Sequence, residues 1–241
     1  MSLELAERIA VVTGAGSGLG AAMCRRFAEA GMAVAALDID EGGAKVTATA
    51  IAEGYGVPAM SARVDAGDAA SLADAAATVG AWRGGCDVLC ANVGVQQFGA
   101  IDRLTDDDWT WVISVNVLGT VRTVASFLPL LRRRSGWRRI VVTASSGEEG
   151  LAVLDERSPH VVLSDIEMPG MDGYSFMRAV RERPASRGGQ IPAAALTAYA
   201  RPEDRDAALR AGFQLHIAKP VQPAELAAVV SSLAGRRSGS D

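Results

Sequence analysis

The sequence predicts an α/β fold with a doubly wound parallel sheet, on three observations. Short apolar, β-branched runs recur along the whole chain, Ala-rich segments of helical length separate them, and a glycine-rich turn directly follows the first run. Parallel neighbours need right-handed crossovers, so helices must lie over both faces and the carboxyl ends of all the strands must share one edge. Ligand chemistry in such a sheet belongs on that edge.

In chain order the strands are predicted at 8–13, 33–38, 59–64, 87–91, 139–143, 160–165, 193–197 and 215–218. Helix entries are marked at Thr105 and Ser146, each followed three residues later by a carboxylate, Asp108 or Glu149, in the manner of a capping box. The basic cluster of Arg132, Arg133, Arg134, Arg138 and Arg139 begins where a helix should end, and cations there complement the negative end of the helix dipole. Residues 236–241 read as a small, polar tail expected to fray.

Composition narrows the function classes. With 49% hydrophobic and 22% charged residues among 241, the chain has a core to bury and is not of disordered type. A net charge of −4 argues against a nucleic-acid or anionic-lipid surface. No targeting segment opens the chain and no uninterrupted apolar run reaches membrane-spanning length, so the expectation is a cytoplasmic protein without a membrane partner. Cys24, Cys86 and Cys90 lie in apolar stretches with no histidine nearby, which favours small buried thiols over a metal site.

Directly after the first strand stands Thr13-Gly-Ala-Gly-Ser-Gly-Leu-Gly20. Glycines at Gly14, Gly16, Gly18 and Gly20 allow a tight turn and let backbone N–H groups approach a pyrophosphate, while the next helix, entered through Ser17 and Leu19, offers its positive end. Asp38 ends the second strand, placed to accept hydrogen bonds from ribose hydroxyls. A carboxylate there repels a 2′-phosphate, which favours NAD over NADP.

This pattern resembles the short-chain dehydrogenase/reductase family over about residues 5–146. The resemblance extends to Asp65 in "VDAGD", which matches the family's adenine-side acid, and to "ANVG", which keeps Asn92 and Gly94 of its Asn-Asn-Ala-Gly signature. Asn116 matches the helix asparagine of the family's proton relay, and Ser145 in "VVTAS" aligns with the serine that steadies the substrate carbonyl. The family's reaction also needs a Tyr-x-x-x-Lys pair, whose lysine lowers the pKa of the proton-transferring tyrosine. That pair is absent: four residues beyond Tyr55, Tyr174 and Tyr199 stand Ala59, Arg178 and Glu203, and the only lysines are Lys45 and Lys219. The resemblance therefore implies a nicotinamide-binding protein whose catalytic set, Ser145 and Asn116, is incomplete and whose turnover is weak or lost.

From Thr143 onward the chain resembles a response-regulator receiver domain, from that family's second strand to its end. "VVLSDIEMPGMDG" matches the phosphoacceptor segment with Asp165, "AAALTAYA" supplies Thr197, and "IAKPV" supplies Lys219. The resemblance implies that Asp165 attacks a phosphoryl donor, such as a histidine kinase, while Thr197 and Lys219 bind the phosphoryl oxygens. The family's opening strand, which ends in two acids that hold Mg²⁺, has no counterpart here. Glu148 and Glu149 are read as helix-capping residues in preference to metal ligands, and Mg²⁺ stays open as a cofactor whose usual acidic pair is missing.

The boundary is placed after residue 146, with a cofactor-binding portion before it and a receiver-like portion, 147–235, after it. Both parents are parallel α/β folds, so the expectation is one continuous sheet of order 3-2-1-4-5-6-7-8, with strain or a cavity where the fifth and sixth strands become neighbours. Three readings stay open: an NAD-binding oxidoreductase-type protein, a phosphoacceptor module in a phosphorelay, and a gene fusion without function. Homo-oligomerisation is also left open.

Overall fold

The computed structural model describes residues 5–97, 103–135, 139–144, 146–156, 159–168, 170–198, 202–221 and 223–235, so the tail 236–241 lies outside the described residues. The chain divides into two compact units, Met1–Thr143 and Ala144–Asp241.

The first unit runs β1 (Ile9–Thr13), α1 (Gly18–Glu29), β2 (Ala33–Asp38), α2 (Glu41–Tyr55), β3 (Ala59–Arg63), α3 (Ala69–Arg83), β4 (Val88–Ala91), α4 (Asp106–Ile113), a π-helical turn (Ser114–Gly119), α5 (Thr120–Arg133) and β5 (Arg139–Val142). Its strands form a parallel sheet of order β3-β2-β1-β4-β5. Alternation along β1 shows how one strand serves two helix layers. Val11 packs with Leu72, Val79 and Phe127 from α3 and α5, whereas Val12 packs with Cys24, Ala28 and Ile51 from α1 and α2. The strand order reverses at β1, which puts the crevice of this sheet at the carboxyl ends of β1 and β4.

At the opposite edge Asp87 is fully buried and accepts hydrogen bonds from Arg8 Nη1 at 2.8 Å, the Ile9 N–H at 2.9 Å and Arg134 Nε at 3.0 Å. Burial pushes its carboxyl up, but the bonds from Arg8, Ile9 and Arg134 outweigh that and hold its pKa below the ordinary carboxylate value. This cluster ties β1, β4 and the end of α5 together. Arg134 thus has a partner that dipole complementarity did not require.

One helical run, Asp106–Arg133, is interrupted by charged residues but apolar over much of its length. Its 28 residues are long and apolar enough, by length and composition, to cross a bilayer. Its apolar character arises because one side, with Val124, Phe127, Leu130 and Leu131, is a core face of the first unit.

The second unit runs α6 (Gly147–Glu156), β6 (Val162–Asp165), α7 (Gly173–Arg181), a 3₁₀ turn (Ala185–Arg187), β7 (Ala193–Thr197), α8 (Pro202–Ala211), β8 (Leu215–Ala218) and α9 (Pro223–Gly235). Its three strands are parallel, in the order β6-β7-β8. Leu154, Phe176, Met177, Val180, Ala208 and Phe213 cover one face, and Leu233 of α9 packs on the other. The Arg181 guanidinium donates to the carbonyls of Gly212, Gly189 and Ile191 at 2.8–3.0 Å and closes the amino edge of this sheet.

The single eight-stranded sheet is therefore corrected to two sheets, with β5 and β6 each a terminal strand. A central parallel strand is apolar and buried on both faces. β5 instead exposes Arg139, Ile140 and Val141, and β6 exposes Leu163. The intended crossover, α6, packs Leu154 and Leu151 against the core of the second unit, so its apolar side is used there. The strain expected at a β5–β6 ladder has no ladder in which to arise.

Candidate functional site

In the first unit the glycine loop is shaped by contacts that exclude side chains. Gly14 and Gly18 adopt φ of +67° and +52°, in the left-handed region. A Cβ on Gly20 would stand 1.9 Å from the Gly14 carbonyl oxygen, so α1 crosses the loop at a distance only glycine permits. The loop is braced from three sides. Thr13 Oγ1 donates to the Cys90 carbonyl at 3.3 Å and accepts the Asn92 N–H at 3.1 Å, joining the tips of β1 and β4. Thr47 Oγ1 of α2 donates to the Ala15 carbonyl at 2.9 Å. The Gly16 N–H donates to Asp38 Oδ2 at 2.7 Å, and the other carboxylate oxygen accepts the Asp40 N–H at 2.9 Å.

Ser17 precedes α1 in an extended conformation without a side-chain cap bond, and the first turn carries no acid. The first amides of a 12-residue helix therefore meet neither a capping oxygen nor a carboxylate of their own. Leu19 and Ile39, 57% and 56% exposed, add apolar surface beside the loop and beside Asp38. Asp65 Oδ1 accepts the Gly67 N–H at 2.8 Å, while its own N–H donates to Ser71 Oγ. This cradle suits a dinucleotide: uncapped amides for phosphate, a carboxylate for hydroxyls, and apolar flanks.

Asn92 and Gly94 follow β4, and Asn116 lies in the π-helical turn, 7% exposed. The Asn116 side chain is committed to backbone: its carbonyl accepts the Val95 N–H at 2.8 Å and its amide donates to the Val95 carbonyl at 2.9 Å. It thereby fixes the segment that leaves β4. Ser145 lies outside the described residues, as does Tyr199; of the remaining tyrosines, Tyr55 ends α2 and Tyr174 lies in α7. The three cysteines are buried and unpaired by disulfides, and burial pushes Cys24 and Cys90 up to about 12, too high for a reactive thiolate.

In the second unit three strand ends bring the phosphoacceptor set together. Asp165 ends β6, Thr197 ends β7 and Lys219 follows β8. Lys219 Nζ lies 2.5 Å from Asp165 Oδ2, and Oδ1 accepts the Glu167 N–H at 3.2 Å. The backbone of Lys219 is held in turn by the Thr197 carbonyl at 2.7 Å. A Cβ on Gly173 would stand 2.2 Å from the Asp165 carbonyl oxygen, the same helix-on-strand-tip closeness as at Gly20. Ser146 Oγ accepts the Glu149 N–H at 3.2 Å, as a helix-capping residue does, and at Thr105 the full capping box forms. Among the described residues no group of three or more His, Cys, Asp and Glu gathers for a cation.

A family model for short chain dehydrogenases matches residues 8–154. The chain belongs to the short chain dehydrogenase family. A response regulator receiver domain model matches residues 122–231, so the chain is a chimera of the two families whose segment 122–154, with α5, β5 and α6, satisfies both patterns. The C alpha-dehydrogenase of Sphingobium sp. (strain NBRC 103272 / SYK-6) is 33% identical over 174 residues, 71% of this chain and 55% of that protein. A probable transcriptional regulator, ycf27, of Guillardia theta is 36% identical over 96 residues, 40% of this chain and 36% of that protein. The chain thus spans little more than half of one relative and about a third of the other. Among solved structures, an alcohol dehydrogenase from the archaeon Thermococcus sibiricus complexed with 5-hydroxy-NADP aligns with a TM-score of 0.55 and 25% identity, covering 79% of this chain and 75% of that one.

Thr47 and the double amide bonding of Asp38 escaped sequence reasoning. A threonine at the seventh residue of a helix carries no signal of its own. The one available clue was that Thr47 falls on the buried stripe of α2, with Ala44, Ala48 and Ile51.

Proposed function

We propose that the first unit binds NAD(H) and that its oxidoreductase turnover is weak or lost. The observation that carries this reading is the Gly16–Asp38 bond, which holds the loop and the strand-end carboxylate as one cradle. The uncapped amides of α1 receive the pyrophosphate. Asp38 retains acceptor capacity for ribose hydroxyls, Asp65 serves the adenine side, and Leu19 and Ile39 shield apolar ring surface from water. Asp38 also disfavours a 2′-phosphate by repulsion at short range, which selects NAD over NADP. The dinucleotide of the related archaeal enzyme supports the nicotinamide class and leaves the choice between the two forms to Asp38.

When bound, the nicotinamide supplies hydride chemistry. The chain's own part is to bind and orient it, and Asn116 positions the segment after β4 through Val95. No Tyr-x-x-x-Lys pair exists to move the accompanying proton, hence the loss of turnover. Titration with NADH, read as energy transfer from tryptophan, should saturate; absence of binding at millimolar cofactor defeats the reading. A cytoplasmic setting belongs to the same proposal.

The second reading, a phosphoacceptor role for Asp165, is favoured by its contact with Lys219 and the neighbouring Thr197. A phosphodonor is the partner this implies. Beryllofluoride or acetyl phosphate should perturb the protein when Asp165 is intact, and the same perturbation in Asp165→Asn would refute it.

A further inference from the structure

Resting on the NAD(H)-binding reading of the first unit, we infer that Arg122 is a positioning residue for the adenine end of the dinucleotide: from α5 it fixes Gly67 and, through Gly67, the carboxylate of Asp65. Just beyond β3, Asp65 Oδ1 accepts the Gly67 N–H at 2.8 Å, while the Asp65 N–H is held by Ser71 Oγ at 2.9 Å. Arg122 Nη1 donates to the Gly67 carbonyl at 2.7 Å, from 55 residues further along the chain. Both backbone polar groups of one glycine are thus taken, one by Asp65 itself and one by α5. The helix closes on this turn from the same side. A Cβ on Gly119 would stand 2.8 Å from the Ala66 carbonyl oxygen, and one on Gly67 would stand 3.6 Å from Val115 Cγ2.

Glycine has the freest backbone of any residue, so a turn built on Gly67 keeps its shape only through such bonds. Release of its carbonyl frees its N–H as well, and with it the group that orients Asp65 Oδ1. Among the described residues no protein donor takes Oδ2, which leaves that oxygen to accept from the exocyclic amino group of adenine. A side chain needed only for packing would be apolar here, at a lower cost of desolvation. Arg122 is half-buried, forms no ion pair among the described residues, and spends a guanidinium donor on a neutral carbonyl. The length of that bond is that of a charge-assisted contact.

The test compares NADH with deamino-NADH, whose purine carries an oxygen in place of the amino group and whose reduced nicotinamide gives the same energy-transfer signal from tryptophan. The full chain should bind NADH about tenfold more tightly than deamino-NADH, the worth of a hydrogen bond to a charged acceptor. Arg122→Met, with an unchanged far-UV spectrum, should weaken NADH binding about tenfold and deamino-NADH binding by less than about twofold, so that the preference disappears. Arg122→Lys restores a cationic donor and should recover most of it. If Arg122→Met does not fold, Arg122→Gln, whose side chain is too short to reach Gly67, takes its place with the same expectation. No preference in the wild type, a preference that survives the loss of Arg122, or equal weakening of both nucleotides would each overturn the inference and leave NADH binding standing. A wild type that binds neither nucleotide would overturn both.

Discussion

Asp38 and Asp165 occupy the same address in their respective sheets, the last residue of a parallel strand, yet they are held by different groups. Asp38 is bonded by two backbone amides, whereas Asp165 is bonded by one amide and by the Lys219 ammonium. Backbone amides fix a carboxylate without neutralising it, so its charge and remaining lone pairs stay available to hydroxyl groups. A lysine ammonium supplies a full charge that can follow a phosphoryl oxygen once one is attached. Equivalent positions at a strand tip therefore carry the proposed ribose acceptor in one unit and the proposed phosphoacceptor in the other.

The strongest way to break this parallel is at the glycines that let a helix cross each strand tip. Gly20→Ala and Gly173→Ala each drive a methyl into a backbone carbonyl, and each should cost more than about 3 kcal/mol in urea denaturation of its own unit. A loss of under half that at either glycine would mean that the crossing is looser than described.

Next in size is Asp87→Asn, which leaves Arg8 and Arg134 without their buried counter-charge and should cost about 3 kcal/mol at neutral pH. The folded-state pKa of Asp87 lies below its unfolded value, so its stabilisation is present above the ordinary carboxylate range and lost as pH falls through the folded pKa. The gap between wild type and variant should accordingly close as acid is added. A gap independent of pH would assign the loss to packing.

Asp38→Ala removes both the brace on Gly16 and the ribose acceptor, and should weaken NADH binding by roughly thirtyfold, about 2 kcal/mol. Asp38→Asn keeps an acceptor for the Gly16 amide but no charge, so NADP should gain relative to NAD. An unchanged ratio would remove charge repulsion as the selector. The smallest stability effect belongs to Lys219→Met: its pair with Asp165 is partly exposed and screened, so less than about 1 kcal/mol is at stake. The response to beryllofluoride should nonetheless disappear, and its persistence would detach Lys219 from the phosphoacceptor role.

Much of this was legible in the residues. β2, β7 and β8 have the bounds that alternation and β-branching predicted, and the other strands differ by a residue or two at their ends, where polar residues such as Arg8, Asp87 and His160 blur the start. The glycine loop and Asp38 could be named because each follows an apolar run that reads as a strand, whereas Asp165, Thr197 and Lys219 could be named because their segments resemble those of receiver domains. Thr47, Arg134 and Arg181 could not, because their partners are backbone groups or a carboxylate 8 to 47 residues away, which no local pattern encodes.

The sequence by itself determined the eight strands, their parallel sense and, for each set of chemical groups, that it collects at the carboxyl ends of its own strands. These follow from local periodicity and from the right-handedness of crossovers. Only the tertiary structure decided that the strands divide into sheets of five and three. The side chains of α6 enter the core of the second unit, alongside Phe176, Met177 and Val180, and such contacts between residues distant in sequence are a property of the packed chain, not of any segment within it.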